Sequence, residues 1–209
     1  MRINELAKAV HENAVAHGWW DDEREAPEII ALIHSEWSEA LEEARAGRPL
    51  VWYGCGEAEN SNVVCSPQDE YECRMYGREL ECEFRANKPE GIAVELIDGC
   101  IRILDYFGEM DANIQEGDGS QSTLECLYSD ANVKKVPDDV AHLVAYLHLY
   151  TSQAMANSTV LIHVDIFGLL SALAAALSWV KKQGLDPLTI LLEKHEYNKT
   201  RPYKHGKKF

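Results

Sequence analysis

A 3.6-residue apolar period, cut into long blocks by proline and glycine, constrains this chain more than any other feature of its sequence. After Pro27, the residues Ile29, Ile33, Trp37, Ala40, Leu41 and Ala44 keep that period to about Arg45, and Gly47 and Pro49 close the run. Proline suits a first helical turn, where its missing N–H would have no partner anyway. The same reasoning predicts a helix over residues 3–17 ended by Gly18, and one from Pro89 to about Phe107 with Gly108 as terminator. Further helices are predicted from Pro137 to about Met155, over about 162–183 up to Gly184, and from Pro187, capped by Asp186, to about Lys199. Residues 50–88, rich in Cys, Gly and Glu, and residues 112–135, with Gly117 and Gly119, break the period. The expected fold is therefore all-α: one helical bundle over residues 1–209, interrupted at about 50–88 and 112–135 by irregular insertions. The Tyr71–Phe84 piece fits a short helix or a hairpin equally well.

Charge narrows the function. Twenty Lys+Arg against 35 Asp+Glu give a net charge of −15. That surface has no surplus of cations to exchange for the counterions of a nucleic acid, so a polymer partner is not expected. The longest apolar run without an ionisable group, Ile166 to Val180, is 15 residues (166–180), short of the roughly 20 that span a bilayer. A buried core helix is expected there, and no membrane partner. The N-terminal residues lack the shape of a signal peptide, so a cytoplasmic protein with reduced cysteines is expected. Cys55, Cys65, Cys73 and Cys82 are separated by nine, seven and eight residues, without the close pair that structural zinc sites carry, and free thiols are expected.

The chemistry lies in the acids. Glu36, Glu39 and Glu43 fall within about 60° of one another on one helical face, beside the apolar stripe. Glu95 and Asp98 repeat the three-residue spacing on the next long helix, with Asp105 two turns on. Antiparallel packing of the two helices would bring four carboxylates together. Such a group repels itself unless it takes up protons or a hard divalent cation. Spacing alone leaves a second reading open, a solvated acidic face. A di-iron bundle is not supported, because no histidine has a glutamate three residues before it.

The segment from Glu28 to Glu43, with Glu36 and Glu39, resembles the first metal-binding helix of MazG-like nucleoside triphosphate pyrophosphohydrolases. The run from Lys88 to Tyr106, with Glu95 and Asp98, resembles the second, completing a Glu-x-x-Glu … Glu-x-x-Asp signature. Glu193 to Gly206 is similar to the tail of small members of that family. The two acidic pairs stand 55 residues apart (40–94), more than the family's usual gap. The resemblance implies an all-α fold and Mg²⁺, with Mn²⁺ as a substitute, on Glu36, Glu39, Glu95 and Asp98, which would also be the catalytic residues. It implies cleavage of a nucleoside triphosphate between the α- and β-phosphates, and a homodimer or homotetramer. Lys194, Asn198 and Arg201 would hold the substrate, while Lys199 is expected at the surface. The alternatives are a dUTP- or dCTP-specific pyrophosphatase of the same superfamily, or an inactive acidic helical protein that binds a partner. Trp37 is expected in the core and His34 in helix packing; Trp19 and Trp20 fit either base stacking or a helix junction, and Asp105 either support of the site or surface.

Overall fold

A computed structural model of the chain describes residues 1–54, 64–65, 88–115, 120, 122–156 and 165–206. It is all-α, as the periodicity requires. The helices are α1 (Ile3–Ala16), α2 (Ala26–Arg45), α3 (Ile92–Glu109), α4 (Leu124–Leu127), α5 (Asp130–Val133), α6 (Val140–Ala156), α7 (Ile166–Lys182) and α8 (Pro187–Lys199), followed by a 3₁₀ turn at Tyr203–Gly206. None of the described helices is long and apolar enough to cross a membrane.

The centre of the bundle is α3, which packs against α1, α2, α7 and α8. Its apolar residues go round most of the helix, and Ile92 through Ile97 are all buried, as in a helix enclosed by others. Across the α2–α3 seam Glu36 meets Arg102 while Glu39 lies near Glu95, so the two helices run antiparallel. They approach closely because Gly99 leaves room for the Trp37 ring; a Cβ there would stand 2.2 Å from it. Trp37 is fully buried, as expected, and its indole donates to Thr151 of α6 at 3.0 Å. Most of the apolar run at 166–180 is buried in α7, as expected, including Leu169, Leu173, Leu177 and Val180, while Phe167 is exposed.

Several expected boundaries move. Pro89 does not open a helix: Pro89–Glu90 is a strand, β3, paired antiparallel with β1 (Trp52–Gly54), which also pairs with β2 (Val64–Cys65). The helix waits until Ile92, because Gly91 turns with φ +111° against the carbonyls of Pro49 and Leu50, 2.8 and 2.7 Å from where a Cβ would sit. Gly108 does not end α3, which continues to Glu109. It lets α1 come close, since a Cβ there would lie 2.6 Å from the Ala7 carbonyl. Pro137 likewise stands before its helix: α6 starts at Val140, and Asp139 accepts the His142 N–H at 3.0 Å. Within 112–135 the described residues are not a loose insertion. They form α4 and α5, bury Ile114 and Leu124, and hold the N-terminus through Ile3 N–H to Ser122 O at 3.0 Å and Leu124 N–H to Met1 O at 2.9 Å. The Tyr71–Phe84 piece, and the Cys55, Cys73 and Cys82 of the zinc question, lie outside the described residues.

Candidate functional site

The acids of α2 and α3 border a cleft of about 140 Å³ whose wall also includes Trp19, Arg24, Lys88, Arg102, His195, Asn198 and Arg201. Glu36, Glu39 and Glu95 each offer one carboxylate oxygen, and these oxygens all lie within 4.8 Å of one another. Two ligands of one magnesium octahedron stand on the order of 3–4 Å apart, so small side-chain rotations would bring this donor set onto a common hard cation. Three carboxylate oxygens are also the donor chemistry that magnesium and manganese prefer. The residues fit the ion.

Their electrostatics are those of crowded acids, which a cation would relieve. Glu36 and Glu95 are each 6% exposed. Burial first, then the negative charges of Asp98 and Glu36, push the Glu95 carboxyl up to about 8, against the pull of Lys194 and Lys88. Burial raises Glu36 as well, and Arg102 opposes the shift. Glu39 is exposed, so its charge is easily solvated. Burial works against the Lys88 ammonium, yet Glu90, Glu95 and Asp98 outweigh it and hold its pKa above the usual lysine range.

Asp98, the fourth acid, lines the cleft one turn beyond Glu95 but stands outside the group of three. Its Oδ2 accepts from Lys194 Nζ at 2.8 Å. That ammonium also donates to the Pro89 carbonyl at 3.1 Å, and its side chain is only 1% exposed. Lys194 is thus an internal counter-ion to Asp98. Asn198 and Arg201, one and two turns further on, do line the cleft. The Asn198 Oδ1 is buried, and the described residues offer it no hydrogen-bond partner. Lys199 pairs with Glu196 at the surface.

Asp105 is a structural tie. It accepts the Trp20 indole N–H at 2.9 Å and meets His11 Nδ1 at 2.8 Å, joining α3 to α1 and to the connection after it. That places Trp20 in the helix junction, whereas Trp19 reaches the cleft under the Arg24 guanidinium, which lies 5.4 Å from its ring centre. His34 packs on α6, its Nδ1 2.7 Å from that of His148. Glu43 is used outside the cluster, accepting the Trp52 indole at 2.8 Å.

Sequence reasoning missed Arg102, Lys88, Arg24 and His195. Arg102 had a signal: it follows Asp98 by four residues and so shares the acidic face of its helix. Lys88 had none, because its place depends on the pairing of β3 with β1. A larger groove, about 460 Å³, lies beside α6 and α7 and includes Tyr146 and Tyr150; among the described residues no carboxylate lines it. Comparison with protein-family models, with curated proteins and with solved structures gives no match to this chain.

Proposed function

We propose that this protein is a Mg²⁺-dependent nucleoside triphosphate pyrophosphohydrolase of the MazG-like kind, acting in the cytoplasm as a homodimer or homotetramer and releasing a nucleoside monophosphate and pyrophosphate. One observation carries the reading: Glu36 and Glu39 of one helix converge with Glu95 of another, from stretches far apart in the chain, on one cleft. Bound there, magnesium would neutralise a polyphosphate and lower the pKa of a water. The chain's own residues supply the rest. Glu36, Glu39 and Glu95 hold the ion, and Asp98, fixed by Lys194, completes the acidic wall. Lys88, Arg24 and Arg201 give the cleft the cations that phosphate oxygens require, and a guanidinium can take two of them at once. Trp19 offers a face for a base.

The test is pyrophosphate release from a panel of ribo- and deoxyribonucleoside triphosphates, with and without Mg²⁺. Turnover confined to dUTP or dCTP would assign the narrower activity. Glu39→Gln is expected to abolish release while leaving helical content and melting temperature near wild type, because Glu39 is exposed. Undiminished turnover in that variant, or no hydrolysis of any nucleotide by the wild type, would refute the proposal.

A further inference from the structure

We infer that Arg102 is the resident counter-ion of the site: it holds Glu36 in place of a divalent cation, and turns to the phosphate oxygens when a metal-bound polyphosphate enters. This rests on the metal-site reading above and deepens it.

Glu36 is buried on α2, and it lines one cleft with Glu39, Glu95 and Asp98. Among the described residues its one ion-pair partner is Arg102, whose Nε donates to Glu36 Oε1. Lys194 is already bonded to Asp98 and to a backbone carbonyl, and Lys88 pairs with Glu90 at 3.2 Å. Arg102 is therefore the cation that a metal on Glu36 must displace.

Geometry makes displacement feasible. The Arg102 side chain is 29% exposed against 7% for Glu36, and both residues line the cleft. The contact is made through Nε, and the described residues give the two terminal nitrogens no hydrogen-bond partner. Those nitrogens form the planar fork that binds phosphate in pairs of bonds. Arg102 lines the same cleft as Arg24 and Arg201. A guanidinium released from Glu36 by a metal would thus have a polyphosphate within reach, and substrate and metal would bind cooperatively.

The test compares wild type, Arg102→Met and Arg102→Lys for Mn²⁺ binding, read from the loss of the free-ion paramagnetic resonance signal without nucleotide. It then repeats the titration with a non-hydrolysable triphosphate analogue present. Removing the resident cation is expected to tighten Mn²⁺ binding at least tenfold, with Arg102→Lys between the two. The analogue, which strengthens Mn²⁺ binding to the wild type, is expected to lose most of that effect in Arg102→Met. Mn²⁺ bound equally or more weakly by a folded Arg102→Met or Arg102→Lys protein would overturn the inference and leave the metal site standing. Absence of Mn²⁺ binding in all three proteins would remove the metal site and the inference together. Helical circular dichroism identifies a variant that fails to fold, and Arg102→Lys, which keeps the charge, then carries the comparison.

Discussion

Lys194 separates two roles that a lysine at the end of this chain can play. A phosphate ligand would be costly to activity and cheap to stability; an internal counter-ion would be costly to stability first. Its side chain is 1% exposed and its Nζ lies 2.8 Å from Asp98 Oδ2. Lys194→Met keeps the length and the apolar stem, but leaves Asp98 and the Pro89 carbonyl without their donor. Breaking a buried pair costs about 3–5 kcal/mol; the Asp98 side chain is 19% exposed and regains some water, so about 3 kcal/mol is expected. For a chain of this size that corresponds to roughly 6–12 °C in melting temperature. Asp98→Asn strands the ammonium in the interior and should cost more, about 4–5 kcal/mol. The double variant removes both charges and should recover about 2–3 kcal/mol relative to the sum. Urea unfolding followed by far-ultraviolet circular dichroism, in EDTA at pH 7, measures all four corners. Additive losses, with Lys194→Met costing under about 1 kcal/mol, would refute the counter-ion role.

Two other perturbations follow from the same geometry. The folded protein holds the Glu95 proton up to about 8 against an ordinary 4.5, so the unfolded chain binds fewer protons across that window. Stability without metal should therefore fall as pH rises from about 4.5 to about 8 and then lose this dependence. Calorimetry in EDTA should show a flatter profile for Glu95→Gln, and stabilisation by Mg²⁺ should grow over the same range; identical profiles for the two proteins would contradict this. Gly99→Ala would place a methyl 2.2 Å from the fully buried Trp37 ring, costing about 1–3 kcal/mol through overpacking. By spreading α2 from α3 it should also weaken Mn²⁺ binding, and a wild-type melting temperature would show that the seam is not close-packed.

Sequence alone determined the helical class, since a 3.6-residue apolar period can bury its stripe only as helices packed on one another. It also placed Glu36 with Glu39, and Glu95 with Asp98, on single faces, because the spacing along a helix fixes direction. Tertiary structure decided the rest. Which acids meet depends on the angle and register of α2 against α3, which Gly99 and Trp37 set by fitting together. Whether a charge faces the cleft or the core depends on neighbours distant in the chain: Lys194 and Arg201 belong to one C-terminal segment, yet Asp98 and Pro89 enclose the first while the second lines the cleft. Pro89 and Gly108 carry the local marks of a helix start and a helix end. Pairing with β1 and the approach of α1 gave them other uses. Local sequence fixes the direction of a side chain, but burial and ion pairing are properties of what packs against it.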